Sequence, residues 1–342
     1  MPKSCKQPAV WFLAIQADTG TDRFTERLAQ ALENQGIRTE ITWLPHRAEY
    51  APWTVPVPKP PGWATIVHIN SWLHDRFIPK HLPLVATLHS CVHDPAFEPY
   101  KSFLQKQYHR FWIKRLEANA IKKAVAVTAV SHYTAQQAAK VFDRQDIIPL
   151  YNWIDLNNFQ PDHRETPNTP FRLLFVGNLS RRKGADLLPA IMQRLGPDFE
   201  LHYTGTAQEL GAQGQSSNNL IPLGRLTSQA ELISTYQQCD ALLFPTRLEG
   251  LSLSALEAQA CGLPINSSNA TSMPEIVKDR LTGRLCPIDD IEAFAEAAGE
   301  MRNNPKLWRN MKEASRNNAE LFSENAAVNR YIEIYKTLSL PT

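Results

Sequence analysis

The chain has 342 residues, enough for about two domains, and 43% of them are apolar, as a sizeable core needs. It holds no run of about 18 apolar residues, which excludes a membrane-spanning helix, and its five cysteines are scattered without a C-x-x-C pair, against a zinc site or a disulfide framework. The net charge of +2 hides an asymmetry: residues 1–150 hold 18 Lys and Arg against 12 Asp and Glu, residues 151–342 hold 18 against 22, so the first half is expected to face an anionic acceptor or a membrane surface.

Residues 10–15 (VWFLAI) form an unbroken apolar run that reads as a buried strand. The loop 17–22 follows, and then Phe24, Leu28, Ala31 and Leu32 recur at helical spacing up to Asn34-Gln35-Gly36. With a strand at 37–43, this opening is a Rossmann-like unit. The proline-rich stretch 51–62 is an extended surface loop. Strands at 65–69 and 84–88 end in Asn70-Ser71-Trp72 and in His89-Ser90-Cys91-Val92-His93-Asp94. Polar side chains at the carboxyl edge of a parallel sheet stand where open α/β folds bind ligands.

Residues 100–123 read as one long helix. Phe103, Leu104, Tyr108, Phe111 and Leu116 share a broad apolar face turned to the core, and Lys101, Lys106, Arg110, Lys114 and Arg115 make a basic face, either solvated or laid on an anionic membrane. A strand at 124–130, a helix at 133–142 capped by Ser131 and a strand at 147–150 complete the first half, and the polar run 160–170 is the expected boundary. The second half opens with a strand at 172–176, a turn from Gly177 to Gly184 and a helix at 185–195. Strands at 200–204 and 220–223, a helix at 230–239 and helical residues 291–321 surround the most informative stretch, 241–276.

In that stretch the strand 241–244 stops at Pro245, a polar turn leads to Gly250, and a helix over 252–261 starts at a Ser cap and ends at Gly262 and Pro264. A helix start carries free N–H groups and a partial positive charge, and so holds an anion. Glu249 in the turn and Glu257, eight positions on, flank it. Carboxylates do not bind phosphate but accept hydrogen bonds from hydroxyls, so the site suits a ligand with both, such as a nucleotide sugar.

The frame P-x-x-x-E-G at 245–250 and E-A-x-A-x-G-x-P at 257–264 resembles the donor-site signature of retaining glycosyltransferases of the GT-B fold, the family 4 (glycosyl transferases group 1) type. T-L-H-S ending at Ser90, V-S at 130–131, G-x-L-x-x-x-K-G at 177–184 and P-E-I-V at 274–277 with Thr282-Gly283 extend the resemblance along the chain. It implies an α/β GT-B fold with two Rossmann-like domains facing each other across a cleft. Residues 1–160 would be the acceptor domain, completed by a returning terminal helix within 324–342, and 161–323 the nucleotide-sugar domain.

The same resemblance implies the roles. Glu257 would hold the ribose and Glu249 the donor sugar, while the N–H groups of Gly250, Leu251 and Ser252 meet the diphosphate. Lys183 would neutralise the departing phosphate, and His89 would support the transferred sugar, with Gly20 as a backbone contact. Three positions depart from the family pattern: Thr21 stands for a Gly, Trp153 for a Gly, and Asn178 for an Arg whose charge Arg181 or Arg182 would replace.

The implied activity is metal-independent, retaining transfer of a sugar from a UDP- or GDP-linked donor, without a cofactor, to a saccharide or lipid-linked acceptor in cell-envelope polysaccharide or lipopolysaccharide synthesis. No D-x-D motif is present to carry a metal and no nucleic-acid motif appears. The expected location is cytoplasmic, with peripheral contact at the inner face of an anionic membrane. Two other classes stay open: a non-catalytic GT-B subunit that binds a sugar nucleotide or a partner, and a GT-B sugar-nucleotide epimerase or hydrolase.

Overall fold

The computed structural model describes residues 7–17, 19–211 and 218–339. The chain divides into two compact units, the first running to Asn152 and taking up the chain again from Glu324, the second spanning Trp153–Ser323.

The first unit is built on a six-stranded sheet: β1 (Ala9–Ile15), β2 (Arg38–Leu44), β3 (Ile66–Asn70), β4 (Leu84–Leu88), β5 (Ala126–Ala129) and β6 (Ile147–Pro149). All pairs are parallel, in the order β2-β1-β3-β4-β5-β6. Strands covered on both faces carry continuous apolar runs, and Trp11, Leu13, Val67, Ile69, Val85 and Ala86 are buried accordingly. The order reverses between β1 and β3, which leaves a crevice at their carboxyl ends.

The last helix, Glu324–Leu338, belongs to this unit and is keyed to the sheet by a buried polar chain. Tyr335 Oη lies 2.6 Å from Nδ1 of His68 on β3, His68 Nε2 lies 2.7 Å from Thr87 on β4, and Thr87 lies 2.7 Å from Thr128 on β5. Buried polar groups are costly unless paired, so this chain fixes where the helix sits.

Burial, helped by the nearby His89, lowers the His68 imidazole from 6.5 to about 3, and burial lowers His89 to about 4. Both are neutral in the fold near pH 7. Below pH 6.5 the unfolded chain binds protons that the fold refuses until about pH 4. Stability is therefore full above 6.5 and falls with pH through that window, by up to about 1.4 kcal/mol per pH unit for each imidazole. Urea midpoints of the first unit are expected to drop between pH 6.5 and 4.5, and a His68→Gln variant to drop less steeply. Midpoints that stay flat over that range contradict the assignment.

The second unit repeats the plan. Its strands are β7 (Phe171–Phe175), β8 (Phe199–Tyr203), β9 (Leu220–Pro222), β10 (Ala241–Phe244), β11 (Ile265–Ser268) and β12 (Gly283–Cys286), all parallel in the order β12-β11-β10-β7-β8-β9. Here the order reverses between β7 and β10, so the loops after these two strands emerge side by side.

Several elements differ from expectation. The first helix starts at Gly20, not near Phe24, because Asp22 occupies its first turn and its carboxylate takes the Ala17 N–H at 2.8 Å. The long helix expected over 100–123 starts later, at Phe103, behind a Ser102–Gln105 capping box, and runs to Lys123 with a π turn at His109–Ile113 inside it. Ile113, Leu116, Ala120 and Ile121 supply its buried face, while Phe103, Leu104 and Phe111, expected in the core, are exposed.

The polar run 160–170 lies inside the second unit. There Asp240, almost fully buried, accepts from Arg164 Nη1 (2.7 Å), Asn168 Nδ2 (2.9 Å) and the Arg172 N–H (2.7 Å). Trp153 is buried and has no positive φ, so its turn does without the glycine geometry.

Candidate active site

In the second unit the loops after β7 and β10 carry the candidate residues. The β7 loop ends in a 3-10 turn, Arg181–Lys183, closed by Gly184 in the left-handed region with φ +72°. A Cβ at Gly184 would stand 2.0 Å from the Pro245 carbonyl oxygen, so only glycine lets the two loops touch. Gly177, with φ +143°, makes the second close approach: a Cβ there would meet Lys183 Cδ at 3.0 Å.

The Lys183 side chain therefore lies in against Gly177, with Nζ 5.0 Å from the Phe244 ring centroid and 3.2 Å from Glu249 Oε1. Arg182 Nη1 lies 3.5 Å from the same oxygen and donates to the Leu248 carbonyl at 2.6 Å. Thr246 Oγ1 donates to Glu249 Oε1 at 3.2 Å. Glu249 is itself held at its backbone, its N–H donating to Thr271 Oγ1 at 3.1 Å and its carbonyl accepting from Ser272 Oγ at 3.2 Å.

Of the two arginines named for the missing family Arg, Arg182 reaches this cluster. Arg181 is exposed, with Nε 3.8 Å from Asp186. Asn178 shapes the turn: its carbonyl accepts from Ser180 N at 2.9 Å and its Oδ1 from Ser180 Oγ at 3.3 Å. Sequence reasoning missed Arg247, which is buried and braces the Lys183 turn. Its guanidinium donates to Asp186 at 2.6 and 3.0 Å, to Asp289 at 2.5 Å and to the Arg181 carbonyl. Its only local signal is its place in the turn after β10.

The helix Leu253–Ala260 follows, with Ser252 Oγ accepting from the Ala255 N–H at 3.3 Å. Among the described residues the N–H groups of Leu251 and Ser252 donate to no protein acceptor, and Gly250 precedes them at the turn. Glu257 lies on this helix and accepts from Tyr236 Oη at 3.0 Å. Burial and the Glu257 charge push the Tyr236 phenol well above its usual range, which keeps it a donor.

In the first unit a cavity of about 470 Å³ opens at the carboxyl ends of β1 and β3. His89, Asn70, Trp72, Asp22 and Glu49 are among its walls. Thr25 Oγ1 donates to the Thr21 carbonyl at 3.0 Å, so it accepts from Asn70 Nδ2 at 3.4 Å. Asn70 Oδ1 then faces His89 Nε2 at 2.9 Å. That nitrogen is the donor, and Nδ1 of the neutral ring keeps its lone pair. Thr21 thus anchors the imidazole through its carbonyl. Gly20 is exposed at the first helical position, with nothing within 4 Å of the place a Cβ would take.

No Lys or Arg is among the described residues lining this cavity, and two carboxylates are. Hydrogen-bond acceptors beside the indole of Trp72 suit a neutral, hydroxyl-bearing ring better than a phosphate. Glu49 carries no motif and was missed by sequence reasoning; Tyr108 Oη and Trp112 Nε1 hold it, at 2.7 Å each, through its carboxylate and its carbonyl.

Comparison with known proteins agrees with this plan. Residues 61–158 match the family model described as Glycosyltransferase Family 4, and residues 157–318 match the one described as Glycosyl transferases group 1. The chain belongs to this glycosyltransferase family. A D-inositol 3-phosphate glycosyltransferase from Arthrobacter sp. is 28% identical over 252 residues, a stretch covering 65% of this chain and 58% of that relative.

Among solved structures, sucrose-phosphate synthase from Thermosynechococcus elongatus superposes with a TM-score of 0.77 at 17% identity, covering 96% of this chain and 99% of that one. HepE from Anabaena, solved in complex with UDP, gives 0.71 at 16%, covering 97% and 99%. The family's fold is GT-B, and each unit of this glycosyltransferase is one of its Rossmann-like halves.

Proposed function

We propose that this family member is a retaining glycosyltransferase that moves a sugar from a UDP- or GDP-linked donor to a saccharide or lipid-linked acceptor in cell-envelope polysaccharide or lipopolysaccharide synthesis. The observation that carries the reading is the convergence of Lys183 and Arg182 on Glu249 Oε1, at 3.2 and 3.5 Å, where the strand order of the second unit reverses. Two cations and a helix start with free N–H groups suit a diphosphate, and carboxylates beside them suit hydroxyls.

Without donor, Glu249 balances the two cations. With donor bound, the diphosphate takes Lys183 and Arg182, together with the N–H groups of Gly250, Leu251 and Ser252, and Glu249 turns to the hydroxyls of the sugar. Glu257, oriented by Tyr236, accepts from the ribose. The acceptor hydroxyl attacks the anomeric carbon on the face that the diphosphate leaves. The bond from that carbon to the phosphate oxygen breaks, and the departing phosphate takes the hydroxyl proton. Lys183 and Arg182 stabilise the charge that builds there. His89, neutral with a free Nδ1 lone pair, accepts from a hydroxyl of the transferred sugar.

Glu257→Ala tests the nucleotide assignment by titration calorimetry. Affinity for free UDP or GDP and for the intact donor is expected to fall about 10- to 100-fold, as for loss of hydrogen bonds to a charged group. Tyr236 keeps the Ser254 carbonyl as a partner at 3.1 Å, so the helix survives the change. Unchanged nucleotide affinity removes Glu257 from the ribose.

A further inference from the structure

Five of the exposed large apolar side chains of the first unit stand on two segments that are tied together. Phe103 (72% exposed), Leu104 (78%) and Phe111 (66%) stand on the 103–113 segment, and Tyr50 and Trp53 (67%) stand on the turns after β2. The bonds from Tyr108 and Trp112 to Glu49 tie these segments together, and the Trp53 and Trp112 rings meet edge to face at 6.5 Å. Single exposed apolar residues are ordinary on a protein surface, whereas a contiguous aromatic group marks an interaction site.

Four cations of the basic first half stand on these segments, whereas none lines the cavity. Arg110, Lys114 and Arg115 are exposed on the same helical stretch, and Arg47 on the turn beside Tyr50. The acidic groups here are already engaged, Glu98 by Lys101 at 2.6 Å and Glu49 by Tyr108. Aromatic rings rimmed by exposed Lys and Arg match the two layers of a bilayer surface, an apolar boundary under anionic headgroups.

We propose that this surface docks the protein on an anionic lipid bilayer. Phe103, Leu104, Phe111 and Trp53 enter the interface, and Arg110, Lys114 and Arg115 meet the headgroup charge. Glu49 belongs to both the surface and the wall of the first-unit cavity, so docking brings that cavity to the lipid surface. The inference rests on the functional reading above for its purpose, a lipid-linked acceptor, but docking itself needs neither donor nor turnover.

Co-sedimentation of the full chain, without donor, tests it against vesicles of phosphatidylcholine alone and of phosphatidylcholine with phosphatidylglycerol. The wild type is expected to bind the anionic vesicles and to be released by salt. A Phe103→Ser/Leu104→Ser/Phe111→Ser variant is expected to lose about tenfold or more in partitioning, and an Arg110→Gln/Lys114→Gln/Arg115→Gln variant a similar amount on anionic vesicles only, each with an unchanged thermal melt.

Wild type left in the supernatant of both vesicle types, or a triple-Ser variant that sediments like wild type, overturns the proposal. So does a wild-type dimer that the triple-Ser change turns into a monomer, since a second copy then covers the surface. Transfer to a water-soluble acceptor is measured separately: its absence counts against the functional reading and leaves the docking result standing.

Discussion

Lys183→Ala is expected to lower turnover about 10²- to 10³-fold, the usual cost of removing one group that stabilises charge on a reacting oxygen. Donor binding should weaken less, because Arg182 and the helix start stay in place. The fold should survive as well. Glu249 keeps Thr246 at 3.2 Å and Arg182 at 3.5 Å after the change, so no buried carboxylate is orphaned. Steady-state kinetics separate the two effects: kcat falls and KM moves little, with an unchanged melt. Near-normal kcat would show that Arg182 alone carries the phosphate charge.

Gly184→Ala is expected to damage the second unit more broadly. The added Cβ has two costs, a left-handed backbone at φ +72° and a 2.0 Å approach to a carbonyl oxygen that is part of the backbone. Strain of that kind costs about 1–3 kcal/mol for the conformation alone, and the clash forces the two loops apart. The expected result is a loss of at least about 3 kcal/mol in urea unfolding of the second unit, with turnover abolished because Lys183 and Glu249 no longer meet. Gly177→Ala is the informative contrast. It carries a backbone cost too, at φ +143°, but its Cβ meets only the Lys183 side chain, at 3.0–3.3 Å, so beyond that strain it should displace the lysine more than it opens the loops. A Gly184→Ala protein as stable as wild type would mean that the loop contact is not what assembles the site.

Much of this was legible in the sequence. Unbroken apolar runs mark strands covered on both faces, and turn residues mark where they end, so both Rossmann-like units could be read. The stretch from Pro245 to Pro264 was legible down to its Ser252 cap because strand, turn, cap and helix all lie within one local segment.

What failed depended on distant partners. The spacing of Phe103, Leu104 and Phe111 suggested a core-facing stripe, but the π turn at His109–Ile113 shifts the phase, and the core side is taken by Ile113, Leu116 and Ile121. The choice between Arg181 and Arg182 rests on Arg247, 65 or more positions away, whose N–H donates to the Arg182 carbonyl at 2.9 Å and sets the turn. Glu49 is invisible to any motif because its partners, Tyr108 and Trp112, come from another element. The polar run 160–170 looked like a linker because its polarity serves a buried Asp240 that lies far along the chain.

The central claim is acceptor-dependent sugar transfer, and the most direct test is nucleoside diphosphate release from a panel of UDP- and GDP-sugars, with and without saccharide and lipid-linked envelope acceptors. The account predicts release of UDP or GDP with one donor only when an acceptor is present, and a product that keeps the donor's anomeric configuration. Equal release without acceptor would make the protein a hydrolase or epimerase, and donor binding with no release under any condition would make it a non-catalytic subunit; either result contradicts the account.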